Sequence, residues 1–320
     1  MEMSSPTSKI RVYLDFYDRF GIFNDFYASE LSFCAAQAWS LFKNIAGNKC
    51  ILYSDGATCL RELDLEPNTK DHIAYELLSG EDLHTLEWFH DYFRYYCMTL
   101  QDKPWVQIDL DCFLFRESQK DIQEIEKHLL GGSEEGIWYY ANDVNHKLSY
   151  TSGYSRWESR LVRRLLGELE YTYSPTELER GGNLGFSFGT PKAGYIIGSE
   201  VCKAFKVATR LLEDLGVPRD GAEQLEIHHW ISGVFPWYVA KRFGLTFRDW
   251  EVNQIMHVCG TGQETYLRLG ANKVLPIEEA QAAQKKVFDK FVPRILESRT
   301  AITFSEFKSE ILKSVTKQVI

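Results

Sequence analysis

The segment Trp105–Phe115, WVQIDLDCFLF, places two carboxylates inside an otherwise apolar run. Side chains alternate along a β-strand, so Asp109 and Asp111 point to one side while Val106 and Ile108 point to the other. Burying two carboxylates without partners is costly, so the end of this strand needs either a cation or hydrogen-bond donors. The segment therefore predicts a buried strand that ends in a ligand-binding edge of a sheet.

The rest of the chain alternates short apolar runs with helical patterns, an order typical of α/β proteins. The strand-like runs cover residues 9–16, 50–53, 105–110, 136–141 and 251–258. The helical patterns cover residues 29–46, 83–100, 118–130, 156–170 and 199–215, one that starts near 223, and two more after 278. The sequence has no internal repeat, low-complexity tract or clear linker, so we predict one domain.

Two carboxylates at a strand end suit Mg²⁺ or Mn²⁺, because these cations prefer oxygen ligands and leave positions for phosphate oxygens. Ligands also bind most often at the carboxyl ends of strands in α/β sheets. The alternative is that Asp109 and Asp111 bond backbone amides where the strand runs into a loop. Cys112 is expected to be a small core residue, since hard cations disfavour sulfur.

Several short motifs, in this order, resemble GT-A-type glycosyltransferases, the nucleotide-sugar transferases with a DxD motif. They are NIAGNKCILYSDGA, WVQIDLDCFLF, GGNLGFSFG, EQLEIHHW and IMHVCGTGQ, and the last is similar to the HxxG motif of glycogenin-like transferases. The resemblance covers about residues 9 to 263. It implies a single GT-A-like (Rossmann-like) domain over 1–277, with a mixed central sheet flanked by helices. A helical extension over 278–320 is expected to pack on the same domain.

The resemblance also implies an activity, the transfer of a sugar from a nucleoside diphosphate donor to an unknown acceptor. A UDP-sugar is the favoured donor, and the glycogenin-like motif favours retention of the anomeric configuration. Asp109, Asp111 and His257 would bind Mn²⁺ or Mg²⁺. Glu223 and Gln224 would lie beside the reacting centre as catalytic residues. The residues expected to bind the donor are Asp55, Arg94, Asp109, Asn183, Gly185, Gly260 and Gly262.

Several of these residues also have an ordinary structural explanation. Glu223 opens a helix, where a carboxylate is stabilised by the helix dipole without any catalytic role. Gly185 allows close approach of a ligand, but a tight turn needs the same freedom. Asn183 is suited to sugar hydroxyls and equally to an Asx turn. His228 and His229 are adjacent, point in different directions on a helix and are expected to be ordinary, although one of them would be able to face a cleft.

The sequence departs from the glycogenin-like pattern after the HxxG motif. That family continues into Lys-Pro-Trp, whereas Gln263, Glu264 and Thr265 stand here. The expected lysine contact to a diphosphate is therefore missing. This departure keeps open the alternative of a non-catalytic GT-A-like binding or scaffold protein.

Two other enzyme classes use a similar acidic strand. The segment resembles the metal-binding strand of lesion-bypass DNA polymerases, but that palm-type class of nucleotidyl transferase places it at the N-terminus and needs a second acidic motif and a basic surface. A haloacid-dehalogenase-like phosphatase expects a small hydroxyl residue at the position of Phe113. Both classes are therefore weaker alternatives.

Composition limits the partners and the location. The 320 residues include 36 Lys and Arg against 45 Asp and Glu, a net charge of −9, so nucleic acid is not expected as a partner, although it is not excluded as an acceptor. The seven cysteines include no Cys-x-x-Cys pair. The N-terminal residues lack a signal-peptide pattern, and no uncharged apolar run approaches the roughly 20 residues of a membrane span. We therefore expect a cytoplasmic protein with reduced thiols and no membrane span.

Overall fold

The computed structural model describes residues 10–16, 25–42, 50–54, 70–71, 77–109, 112–132, 136–142, 160–172, 185–251, 255–257 and 276–316. Within these residues the chain forms ten α-helices and nine β-strands. The helices are α1 (Asp25–Phe42), α2 (Gly80–Trp88), α3 (Asp91–Thr99), α4 (Gln119–Gly131), α5 (Arg160–Glu168), α6 (Pro191–Asp214), α7 (Ala222–Gly233), α8 (Phe235–Phe243), α9 (Ile277–Ser298) and α10 (Phe304–Thr316). The strands are β1 (Arg11–Phe16), β2 (Cys50–Ser54), β3 (Lys70–Asp71), β4 (Trp105–Ile108), β5 (Cys112–Leu114), β6 (Ile137–Asn142), β7 (Phe186–Gly189), β8 (Thr246–Glu251) and β9 (Ile255–His257).

Seven of the described strands form one mixed sheet in the order β3-β2-β1-β4-β7-β6-β8. Strands β3, β2, β1 and β4 run parallel, and β4 pairs with β1 through Leu14 and Ile108. Strand β7 is antiparallel to both β4 and β6, while β8 is parallel to β6. The predicted α/β class with a mixed central sheet is therefore confirmed, whereas its GT-A-like character stays a prediction.

Helices cover both faces of this sheet, as the alternation along β1 shows. Tyr13 packs into a core that includes residues of α3, α6 and α7. Val12 and Leu14 pack into a second core that includes residues of α1 and α4. All three side chains are at most 1% exposed, so β1 is buried on both faces, as a central strand flanked by helices must be.

The residues after β4 leave the large sheet and form a small one. Strand β5 pairs antiparallel with β9, with Cys112 opposite His257 and Leu114 opposite Ile255. The strand predicted over 251–258 is present only as β9 at Ile255–His257, which pairs with β5, because β8 ends at Glu251 in the large sheet. His257, one of the predicted metal ligands, thus lies opposite the first residue of β5.

The apolar stripe from Leu83 to Leu100 predicted one helix, and the structure divides it into α2 and α3. Phe89 breaks the helix with an extended backbone at φ −139° and ψ 98°. Its fully buried ring packs on Phe205 of α6, with 5.0 Å between ring centroids. This burial favours the break, and the break makes His90 the residue before α3.

Helices α3 and α6 pack closely through glycine. A Cβ atom at Gly198 would lie 2.6 Å from the carbonyl oxygen of Tyr95, and one at Gly194 would lie 3.1 Å from that of Met98. Helix α6 starts at Pro191 rather than at the expected Ser199, because proline is well suited to the first turn of a helix.

The last two helices pack against α1 and β5. Phe33 of α1 stacks on Phe288 and Phe307 at centroid distances of 4.9 and 5.4 Å, and Phe113 of β5 contacts all three rings edge-on. Helix α1 begins at Asp25, before the expected cap Ser29. The division into residues 1–277 and 278–320 stays a prediction.

Ser29 lies inside α1 and has a tertiary contact instead of a capping role, since its hydroxyl donates to Asp289 of α9 over 2.8 Å. Gln37, two turns after Ser29 in α1, is fully buried. Its side chain accepts from the Ile302 N–H at 2.9 Å and donates to the Leu114 carbonyl at 2.9 Å. These bonds join α1, β5 and the segment before α10. Among the described helices, none has the length and apolarity to cross a membrane.

Candidate functional site

Asp109, the first residue after β4, is held through its backbone and its side chain. Its N–H donates to the Gly185 carbonyl over 2.6 Å, and its own carbonyl accepts from the Cys112 N–H over 3.1 Å. Its carboxylate accepts from Arg94 of α3, with 2.5 Å between Nη2 and Oδ2. The side chains of Arg94 and Asp109 are 13% and 20% exposed, so the pair lies at the edge of the core with limited access to water. The structure thus brings together two residues that the sequence assigned to the donor site.

A second carboxylate, Asp91, also lies close to Arg94. Nη2 of Arg94 is 3.7 Å from Asp91 Oδ1. Ser232 donates its hydroxyl to Asp91 Oδ2 over 2.7 Å, and Nε2 of His228 lies 2.9 Å from the same oxygen. Nη2 of Arg94 is therefore near two carboxylates, in direct contact with Asp109 and 3.7 Å from Asp91.

The charge state of Asp91 follows from these neighbours. Burial alone raises the pKa of this carboxyl, but the charges of Arg94, His228 and His90 together hold the pKa well below its ordinary value. Asp91 is thus an ionised carboxylate at neutral pH, stabilised by groups from two helices and from the α2–α3 junction.

His90 completes a compact group with Asp91 and His228. His90 Nε2 lies 3.3 Å from Asp91 Oδ1, and the two imidazole rings meet edge-on with 4.6 Å between centroids. One ligating atom from each residue lies within 4.8 Å of the others. Sequence reasoning missed this group. The available signal was a His-Asp pair interrupting an apolar stripe, together with the His-His pair in α7.

His257 ends β9, directly opposite Cys112 at the start of β5. Because Cys112 bonds the carbonyl of Asp109, the backbone of His257 lies across from the segment that carries the aspartate pair. Five predicted site residues lie outside the described part of the chain: Asp55, Asp111, Asn183, Gly260 and Gly262.

The structure gives Glu223 and Gln224 different surroundings from those expected at a reacting centre. Glu223 is exposed in the first turn of α7. Gln224 is fully buried and its amide donates to the carbonyl of Trp88, the last residue of α2. A side-chain donor at a helix end satisfies a carbonyl that lacks a partner within the helix. The contacts of Gln224 are thus structural, and the catalytic roles of both residues stay predictions.

No protein-family model and no curated protein matches this chain. Among solved structures, the galactosyltransferase LgtC, determined in complex with donor and acceptor sugar analogues, is similar over 94% of this chain and 99% of its own. The sequences are 11% identical and the TM-score is 0.40. Neither value is high enough to assign this chain to a fold family.

Proposed function

We propose that this chain is a glycosyltransferase that uses a nucleoside diphosphate sugar, with a UDP-sugar favoured, and binds Mn²⁺ or Mg²⁺ through Asp109, Asp111 and His257. The observation that supports it is the pairing of Cys112 with His257 directly after β4. Paired residues in an antiparallel ladder have Cα atoms about 4.5–5.5 Å apart. A histidine 148 positions beyond Asp109 in sequence is thereby a backbone neighbour of the aspartate segment.

The chemistry of the donor set fits a divalent cation. Two carboxylates and one imidazole suit Mn²⁺, and carboxylates with added water suit Mg²⁺. When bound, the metal supplies a Lewis acid that neutralises negative charge on the leaving diphosphate. Asp109 follows the carboxyl end of β4, and its N–H and its carbonyl are both hydrogen-bonded to the backbone. This proposed metal ligand is therefore held in position before a metal or a donor binds.

Arg94 has two tasks in this proposal. Its guanidinium orients the Asp109 carboxylate through the 2.5 Å contact. It also adds a fixed positive charge where a diphosphate would approach, and oriented charge of this kind stabilises developing anions. Arg94 also lies 3.7 Å from Asp91, which accepts a hydrogen bond from Ser232. Protein groups therefore hold Arg94 in position without a donor.

The experiment is thermal unfolding with UDP-, GDP- and CDP-sugars, each with and without Mn²⁺, followed by an assay for release of free nucleotide. A donor at 100 times its Kd should stabilise the fold by about 2.7 kcal/mol. Asp109→Asn should abolish the metal-dependent rise in midpoint. Asp102→Asn is the matched control, because Asp102 precedes β4 at its other end, with a side chain 69% exposed and paired to Arg11 over 2.9 Å.

The outcomes separate the proposal from its main rival. A metal-dependent rise with nucleotide release supports a glycosyltransferase. A metal-dependent rise in the midpoint with no release of nucleotide, either to water or to any acceptor tested, favours the non-catalytic binding protein. If no nucleotide and metal combination changes the midpoint, the proposed donor site is wrong.

A further inference from the structure

We propose that His90, Asp91 and His228 form a second metal site, which binds a transition-metal ion of the Zn²⁺ class. This site is separate from the oxygen-rich site proposed around Asp109. The inference goes beyond the proposed function and does not need it, because none of the three residues is a proposed ligand of the donor or of its metal.

The first argument is the spacing of the ligand atoms. The two imidazole nitrogens lie 3.3 and 2.9 Å from the two oxygens of Asp91. Neighbouring ligands around a tetrahedral ion with bonds of about 2.0–2.1 Å are about 3.3 Å apart. The histidines approach different oxygens of one carboxylate, so Asp91 lies between the two imidazoles. All three ligand atoms lie within 4.8 Å of one another, so the groups would close by up to about 1.5 Å to share one ion.

The second argument is the orientation of the buried imidazole. The side chain of His228 is 3% exposed, and its Nε2 lies 2.9 Å from Asp91 Oδ2, a distance suited to a charge-assisted hydrogen bond. Among the described residues, however, this buried nitrogen meets no partner at good hydrogen-bonding angles, so its contact with Asp91 is close but not well aligned. A buried nitrogen close to a carboxylate but not aligned with it is satisfied when its lone pair is directed at an ion that both groups share.

The third argument is charge and access. Asp91 is ionised, as a metal ligand must be. Nη2 of Arg94 lies 2.5 Å from Asp109 and 3.7 Å from Asp91, so its direct hydrogen bond goes to Asp109 and not to Asp91. The two carboxylates outweigh the single charge of Arg94, so the local negative charge favours an added cation. The side chain of His90 is 54% exposed, which leaves an entry path from solvent.

The donor set selects the class of ion. Imidazole suits Zn²⁺, Co²⁺, Ni²⁺ and Cu²⁺ better than it suits Mg²⁺ or Ca²⁺, which take oxygen ligands. Three protein ligands leave a fourth position for water or another small ligand, the pattern of open zinc sites. The rival arrangement is a metal-free ionic network in which His228, Ser232 and Arg94 simply neutralise Asp91.

The experiment titrates Co²⁺ into the full chain after removal of metals, at a pH near 7.5, and records the visible absorption. One equivalent should produce d–d bands that one equivalent of Zn²⁺ removes. His90→Asn should weaken Co²⁺ binding by at least about tenfold, since loss of an outer-shell partner alone costs 10–100-fold. His84→Asn is the matched control, because His84 is a half-exposed histidine that lies 2.7 Å from Glu213 outside the group.

Further measurements keep the result unambiguous. His90 is exposed, so its variant is expected to fold, and its circular dichroism must match that of the parent. Asp109→Asn should keep the Co²⁺ bands, so loss of nucleotide-sugar binding and loss of this site are distinguishable. The proposal is overturned if no equivalent of Co²⁺ binds, if His90→Asn leaves the spectrum unchanged, or if the spectrum shows thiolate charge transfer from cysteine.

Discussion

Replacing Gly198 with alanine should destabilise the protein by forcing α3 and α6 apart. The new Cβ atom would lie 2.6 Å from the Tyr95 carbonyl oxygen, 2.8 Å from Thr99 Cγ2 and 3.3 Å from the Thr99 nitrogen. Two of these three atoms belong to the backbone of α3, so no side-chain rotation relieves them. The helices must separate by about 0.8 Å to restore an ordinary contact of 3.4 Å.

Two opposing effects set the magnitude. Overpacking of a rigid contact costs about 1–3 kcal/mol. Alanine in place of glycine returns about 1 kcal/mol of helix propensity. Because the atoms in the way belong to the backbone, we expect an overpacking cost of about 3 kcal/mol. The free energy of unfolding should then fall by about 2 kcal/mol. At about 2.1 cal/mol/K of unfolding entropy per residue, this lowers Tm by about 3 °C.

The assay is urea and thermal unfolding of Gly198→Ala beside Gly167→Ala. Gly167 lies in α5 with open space around its Cα, and a Cβ there meets nothing within 4 Å. This control should gain about 0.5–1 kcal/mol from propensity alone. If Gly198→Ala is stabilised as much as Gly167→Ala, the close approach of α3 and α6 is refuted. A displaced α3 should also weaken nucleotide-sugar binding, because Arg94 precedes Tyr95.

Two further changes test buried polar groups. Burial raises the pKa of Asp82, but hydrogen bonds from Lys206 and other donors outweigh burial and lower the pKa from 3.8 to about 2. Because the pKa is lower in the folded state than in the unfolded state, the ionised carboxylate stabilises the fold above pH 4, and this stabilisation is lost as pH falls toward 2. Between pH 4 and pH 2, the free energy of unfolding measured with urea should fall by about 2 kcal/mol less in Asp82→Asn than in the parent. Gln37→Ala should cost about 2–4 kcal/mol by leaving the buried N–H of Ile302 without its acceptor, whereas Gln123→Ala on the exposed face of α4 should change stability by less than about 0.5 kcal/mol. Equal effects of the two glutamine variants, or identical pH profiles for Asp82→Asn and the parent, would contradict these assignments.

Local patterns predicted the secondary structure where one residue type dominates one face. The alternation from Trp105 to Ile108 predicted β4, and the stripe after Ser118 predicted α4. The pattern failed at Phe89, because counting apolar residues ignores a backbone turn that buries the ring against α6. Leu83 belongs to the predicted stripe, yet it is 36% exposed. A tertiary contact therefore decided where α2 ends.

The candidate site was predicted only in part, for a similar reason. Asp109 has a local signal, two acids within an apolar strand. Asp91 and His228 are 137 positions apart and carry no shared motif, so only the packing of α3 against α7 brings them together. For Gln224 the motif predicted a place beside the reacting centre, but it carried no signal for the burial of the side chain or for its bond to Trp88, which depend on the packing of α7 against α2.

The aromatic contacts of Phe113 have a consequence for how the protein is made. Phe288 and Phe307, which cover β5, are translated about 175 and 194 codons after Phe113 of that strand. Contacts between distant parts of a chain form slowly, and apolar surface exposed in the meantime favours aggregation. A nascent chain is therefore expected to leave β5 uncovered until α9 and α10 have been synthesised. Chaperone binding during translation should concentrate on β5.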